Sequence, residues 1–453
     1  MSRRRVTLVA LLAAAGVLGW AAPASAHADL IRSSPAAGAV LAAPPAEVLL
    51  DFSEGIDLTL GSVSVVGPSG QAASGRARVR GPHHAELAVP LRPGLAKGTY
   101  TLSYRVLSDD GHPVTGGLSF SIGAPSVRPA GAPARAASGW WLREVLVDVR
   151  AVGYAGLVLL IGPALVLAGL WPRRLPAAPV RRLVWVGWCT VGVTTVVEVV
   201  LQAPYAAGTG LRAVTASQVV AVLGTRFGAA HEVRLAILLA GAPLLVRLLR
   251  PDAPDRGTRA AAATLTVGLL ITWPWSGHGG TSPMPAFTLL SDSVHLAAMA
   301  IWLGGLLVLS RHLLPVVSAG ELGLLLPEWS RWATLAVLAL VCSGVVQAVL
   351  EVGGWRRLTG TAYGQLVLTK VSLLGVMVGL AIFARGWIRR RRHLGVEPDD
   401  RFPRSLRALR RGLLVEAAVG AAVLVVAAVL VQTPPGRSVP TGGRSSLPAD
   451  RAR

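Results

Sequence analysis

Thr99-Tyr100-Thr101-Leu102-Ser103-Tyr104-Arg105-Val106 decides the first fold of this chain. Tyr100, Leu102, Tyr104 and Val106 alternate with Thr99, Thr101, Ser103 and Arg105, and a period of two sends one set to a core and the other to water. Leu118, Phe120 and Ile122 repeat the alternation downstream. Upstream, Glu47-Val48-Leu49-Leu50-Asp51-Phe52-Ser53 and Gly61-Ser62-Val63-Ser64-Val65-Val66 are short β-branched or aromatic runs bounded by Gly and Pro. Strands at this spacing predict an all-β sandwich over residues 27–123.

Ahead of the sandwich stands an export signal over residues 1–26: basic Ser2-Arg3-Arg4-Arg5, an apolar run from Val6 to Ala22, and small residues at Ala24 and Ala26. Cleavage after Ala26 makes His27 the first residue. Its α-amino nitrogen and ring Nδ1 then close one chelate ring, a donor set that suits tetragonal Cu(II). The sandwich holds no cysteine and is no disulfide scaffold. Cys189 and Cys342 lie singly in apolar runs. They are read as packing residues, with a thiolate copper ligand as the alternative.

Behind the sandwich, residues 124–139 are rich in Pro, Ala and Gly without periodicity, a tether with an r.m.s. reach of roughly 20 Å. Trp140-Trp141 follows as an aromatic anchor. The chain is 52% hydrophobic and only 15% charged, and its mean hydropathy is +0.55. Apolar runs near 143–170, 183–204, 232–249, 259–276, 289–309, 331–352, 365–388 and 411–431 predict an all-α bundle of about eight transmembrane helices over residues 140–432. A polar tail at 433–453 is expected to be disordered.

The net charge of +21 lies mostly as arginine in short loops, which excludes nucleic acid as a partner and makes the lipid bilayer one. The loops with Arg173, Arg174, Arg181, Arg182, Arg247, Arg250, Arg256, Arg259, Arg311 and Arg331, and the run from Arg385 to Arg411, are assigned to the cytoplasm. Those with Arg212, Arg226, Arg356 and Arg357 are assigned outside. The expectation is a multi-pass cell-membrane protein with its N-terminal domain and C-terminus extracytoplasmic.

The bundle reads as two parallel repeats of four helices. Thr225-Arg226-Phe227-Gly228 precedes Arg234 at the offsets by which Thr361-Ala362-Tyr363-Gly364 precedes Lys370. Val200-Leu201-Gln202 resembles Val349-Leu350-Glu351, and Asp148 and Asp292 each open the first helix of a half.

Two constellations carry chemistry. The first joins His27 to Ser108-Asp109-Asp110-Gly111-His112-Pro113, a turn on which Asp110 and His112 converge to complete a nitrogen and oxygen set. In the second, Asp292, His295, Met299 and Trp302 advance by three, four and three residues and share a helix face. His278 ends the preceding helix, and Met284 lies in the loop between. Imidazole and thioether suit Cu(I), and ionisable groups at membrane depth mark a pathway. The plain alternatives are packing for Met299 and capping for Asp292. Glu198, Glu351 and Lys370 are pathway or ion-pairing groups, and His83 and His84 are read as solvated.

Residues 27–123 resemble the CopC family through His27-Ala28-Asp29-Leu30, Ser34-Pro35-Ala36-Ala37-Gly38, Leu50-Asp51-Phe52-Ser53, Gly98-Thr99-Tyr100 and Ser108–Gly116. The resemblance implies a cupredoxin-like sandwich binding Cu(II) at His27, Asp110 and His112. It also implies that the methionine-rich Cu(I) site of some members is absent, since residues 27–124 hold no Met. The helical part resembles the CopD family through Gly277-His278, Asp292-x-x-His295, Trp302-Leu303-Gly304-Gly305, Arg331-Trp332, Tyr363-Gly364-Gln365 with Lys370, and Glu416. Ala384 stands where that family often has Asn.

Together these imply a CopC–CopD fusion that captures Cu(II) outside and passes copper through the helices for import, assisted by an unidentified reductase or copper chaperone. Resistance by sequestration or export is the alternative. A haem-bearing redox protein, using His278 and His295, is a third. No hydrolase or transferase constellation is present, so no enzyme is expected.

Overall fold

A computed structural model describes residues 28–109, 111–126, 140–250, 255–282, 284–393 and 402–431, with residues 433 and 436. The export signal, His27, Asp110, most of the tether and most of the tail lie outside the described residues.

Eight strands form two four-stranded sheets: β1 (Leu30–Ser34), β2 (Val40–Leu41), β3 (Glu47–Phe52), β4 (Ile56–Val66), β5 (Arg78–Arg80), β6 (Glu86–Pro90), β7 (Gly98–Ser108) and β8 (Pro113–Ile122). The orders are β1-β3-β6-β5 and β2-β8-β7-β4. All pairings are antiparallel except β2 with β8. Leu50 and Leu87 of one sheet and Leu102 and Phe120 of the other are fully or almost fully buried. Each such side chain contributes about 1.5–3 kcal/mol of transfer free energy.

The alternation along β7 holds at Tyr100, Leu102, Tyr104 and Val106, all buried. It fails at two positions expected in water. Thr99 is buried because its hydroxyl bonds the Ser121 hydroxyl at 3.1 Å and the Ser126 carbonyl at 3.0 Å. Arg105 is half-buried because it reaches out of the sandwich to the helices.

The helical region contains α1 (Trp140–Gly169), α2 (Ala178–Ala207), α3 (Ala216–Leu223), α4 (Arg226–Leu248), α5 (Arg256–Trp275), α6 (His278–Thr281), α7 (Pro285–Val308), α8 (Ala319–Val352), α9 (Trp355–Gly360), α10 (Ala362–His393) and α11 (Phe402–Val431). Eight of these have 20 residues or more. Among the described residues, seven helices are long and apolar enough to cross a membrane. The eighth is α5, whose threonines, tryptophans and Arg259 dilute its apolar run. The short helices α3, α6 and α9 have no counterpart in the apolar pattern. Helix α3 is set instead by a capping box between Thr215 and Gln218.

The repeat is visible in atomic detail. Thr225 Oγ1 accepts from the Gly228 N–H at 3.2 Å and donates to the Val222 carbonyl at 2.6 Å. Thr361 Oγ1 accepts from the Gly364 N–H at 3.0 Å and donates to the Arg357 carbonyl at 2.6 Å. A Cβ on Gly228 would collide with the Val222 carbonyl, and one on Gly364 with the Leu358 carbonyl. Both sites therefore need a short helix, a threonine cap and a glycine at one spacing. The first helices of the halves, α1 and α7, cross with Gly162 against Gly304, so closely that a Cβ on either would strike the other's backbone.

Candidate metal path

The turn between β7 and β8 carries the first candidate site. It is closed by Ser108 N–H to the His112 carbonyl (2.9 Å) and Gly111 N–H to the Ser108 carbonyl (2.8 Å), with Gly111 in the left-handed region that glycine favours. His112 is buried. Asp109 N–H donates to the Gly55 carbonyl at 2.9 Å. At the start of the chain, Asp29 N–H donates to Ser53 Oγ and Ser53 N–H returns to the Asp29 carbonyl, both at 2.9 Å. One turn, Ser53-Glu54-Gly55, thus holds both the backbone two residues after His27 and the backbone beside Asp110. His27 and Asp110 themselves lie outside the described residues. His83 and His84 are exposed as expected, both with positive φ.

The sandwich is bonded directly to the bundle. Gln202 Nε2 on α2 donates to the Gly111 carbonyl, and an Arg226 Nη on α4 donates to the Asp109 carbonyl at 2.5 Å. Arg105 on β7 answers with bonds to the Tyr205 (2.6 Å) and Ala206 (2.8 Å) carbonyls at the end of α2. Burial holds the Arg105 guanidinium below its usual range. Phe227, which would touch a Cβ on Gly111 at 3.4 Å, fills the space beneath.

Below Gln202 lies a closed polar cluster. Glu198 Oε2 meets His231 Nε2 at 2.7 Å and Arg234 Nη1 at 3.6 Å, while Arg150 Nε stands 3.9 Å from Glu198 Oε1. His231 Nδ1 bonds the Phe227 carbonyl at 2.7 Å. Arg234 donates to the Thr272 hydroxyl (2.9 Å) and carbonyl (3.1 Å) and lies 3.7 Å over the Trp273 ring. Both nitrogens of His231 thus meet oxygen partners inside the cluster, and neither is open to a metal. Of this cluster the sequence reading singled out Glu198 and Arg234 but missed His231 and Arg150. The i, i+3 spacing of His231 and Arg234 on an apolar helix was the available signal.

The second half differs. A cavity of about 190 Å³ is lined by Asp292, His295 and Met299 of α7, Glu351 of α8, and Lys370 and Met377 of α10, with Trp302 and Tyr363 also in its wall. His295 Nδ1 bonds Ser343 Oγ at 2.9 Å, and that hydroxyl donates to the Ala339 carbonyl at 2.6 Å. Ser343 therefore accepts from Nδ1–H, which leaves the ring lone pair on Nε2, the arrangement that orients a metal-binding imidazole. A second cavity of about 270 Å³ shares Trp302 with the first and is lined by Glu416.

Helix α6 connects the two sites. Gly280 faces Arg226, since a Cβ there would stand 3.1 Å from Nη1, and Gly279 faces Asp292, 3.1 Å from Oδ2 on the same construction. His278 is the first residue of α6, and its side chain is not among those described. Met284 caps α7, exposed and outside the cavity lining. Cys189 and Cys342 are free, exposed, and line neither cavity. Among the described residues, no three His, Cys, Asp or Glu side chains are grouped to hold a metal ion.

Comparison with known proteins follows the same division. Residues 30–123 match the CopC domain, residues 141–283 the copper resistance protein D-like N-terminal domain, and residues 323–430 copper resistance protein D. The chain is 26% identical over 419 residues to the copper transport protein CutJ of Bacillus subtilis (strain 168), covering 90% of this chain and 74% of that protein. It is 30% identical over 303 residues to copper resistance protein D of Pseudomonas syringae pv. tomato, covering 62% of this chain and 93% of that one. The crystal structure of CopC from Methylosinus trichosporium OB3b is 34% identical and matches 22% of this chain and 95% of its own, with a TM-score of 0.20.

Proposed function

Because this chain belongs to the CopC and CopD copper-resistance family, with both parts in one polypeptide, we propose that it imports copper across the cell membrane. Cu(II) is captured outside by His27, Asp110 and His112, a nitrogen and oxygen set suited to that ion. Copper then passes by α6 and His278 to the cavity of His295 and Met299, whose nitrogen and sulfur donors suit Cu(I). Met284, at the exposed start of α7, belongs to the entrance. The change of oxidation state takes one electron from a separate reductant. The signal peptide and the arginine-rich loops support an extracytoplasmic sandwich and C-terminus.

The observation that carries this reading is the chain of contacts between the two sites. Asp109 and Gly111 are gripped by Arg226 and Gln202, Arg226 lies against Gly280, and Gly279 lies against Asp292. Cargo released from the turn at His112 arrives at one short helix, and the cavity begins on its other side. The family name of the relatives also admits resistance, and one measurement separates the two. Radiolabelled copper accumulation is compared in cells with and without the protein in copper-poor medium. Import requires more copper inside when the protein is present; equal or lower accumulation overturns it.

A further inference from the structure

The chain has only four methionines, the first at the initiator position. Of the other three, Met299 and Met377 are both buried and both line the cavity that contains His295. They come from different helices, α7 and α10, separated by 78 positions (377 − 299). On α7, Met299 stands one turn beyond His295. On α10, Lys370, Leu374 and Met377 follow at four and three residues and line the cavity together, which fixes the face Met377 occupies.

Everywhere else the described core of the bundle is built from Leu, Val, Ala, Ile and aromatic residues. Methionine used as an adaptable filler has no reason to collect at one place. Its two buried occurrences converge on the one cavity that also holds an imidazole with its lone pair fixed on Nε2. Among the described residues no three His, Cys, Asp or Glu side chains are grouped closely enough to hold a metal ion, so a soft metal held in this cavity needs thioether sulfur.

We propose that Met377 is a copper ligand, completing with Met299 and His295 a two-sulfur, one-nitrogen site for Cu(I) in the cavity of the second half. This rests on the reading that the cavity carries copper, and extends it by naming the donor set and excluding Asp292, Glu351 and Lys370 from direct coordination. Carboxylate oxygens are hard donors and an ammonium has no lone pair to give; these groups set the charge around the ion.

The test uses the full-length chain purified in detergent and loaded anaerobically with Cu(I), with affinity read by competition against a chromophoric Cu(I) chelator and donors read by X-ray absorption. The sandwich contains no methionine or cysteine, so sulfur scattering reports on the bundle alone. The wild-type chain should show two sulfurs. Met377→Leu, a volume-conserving change that a core tolerates, should lose one sulfur and weaken Cu(I) binding at least about tenfold, as loss of a direct ligand exceeds loss of an outer partner. Met377→His should regain affinity with nitrogen in place of sulfur, which a packing role would not produce. Unchanged affinity and sulfur count in Met377→Leu overturns the proposal while the cavity reading stands. A wild-type chain showing no sulfur-bound Cu(I) overturns both.

Discussion

The two halves of the bundle place polar side chains at matching positions and do opposite things with them. Glu198 and Gln202 of the first half correspond to Gln347 and Glu351 of the second, Arg234 to Lys370, and Phe227 to Tyr363. In the first half the carboxylate is ringed by Arg150, His231 and Arg234, and the cluster is closed. In the second half the equivalent residues line open space. A duplicated frame has been divided between a clamp, which carries the sandwich through Gln202 and Arg226, and a chamber. The lesson is that a buried ionisable group at membrane depth is read by its partners more than by its own identity. Both ring nitrogens of His231 meet oxygen partners, whereas His295, held at Nδ1 by Ser343, lines a cavity.

That contrast can be broken most forcefully at Glu198. Glu198→Ala leaves His231 and two buried guanidiniums without their carboxylate and should cost about 3–5 kcal/mol, whereas Gln347→Ala at the matching position should cost well under half as much. Thermal unfolding of both variants in detergent checks this, and equal losses would erase the distinction. A smaller effect is expected from Ser343→Ala, which frees the His295 ring. Cu(I) affinity of the full chain should fall about 10–100-fold with the melting temperature nearly unchanged; unaltered affinity would remove His295 from the site.

Smaller again is the paired change Gln202→Ala with Arg226→Ala. Losing both bonds to the turn should loosen the sandwich by about 2 kcal/mol, read as faster amide exchange at Gly111 than in wild type. Protection as strong as before would mean that the clamp is not the clamp. Finally, Thr225→Ala and Thr361→Ala should each cost about 1 kcal/mol, and by equal amounts. Unequal costs would show the halves to differ even in their frames.

The parts that could be read without coordinates are those written locally. Strand β7 declares itself in eight residues, and the membrane helices by their apolar runs. Asp292, His295 and Met299 lie within a few residues of one another and share one cavity wall, as their spacing on a helix implies. The parts that could not be read depend on distant partners. Arg105 was assigned to water because alternation cannot know that the end of α2 comes to meet it, a hundred residues on. His231 and Arg150 meet Glu198 from two other helices. Met377, one sulfur in an apolar run, looks like packing until α10 is seen beside α7. Tether length alone implies proximity between the two parts, whereas the hydrogen bonds of Gln202, Arg226 and Arg105 supply register.

At the crossing of α1 and α7, Gly162 rests on Gly304 with no side chain between them. Such a contact sets the spacing of the two helices by backbone alone, with no side chain to yield. At one end of the bundle Gln202 and Arg226 hold the His112 turn, and elsewhere Arg410 holds the carbonyl of Ser310. A single added methyl at either glycine would strike the facing backbone and force the two helices apart.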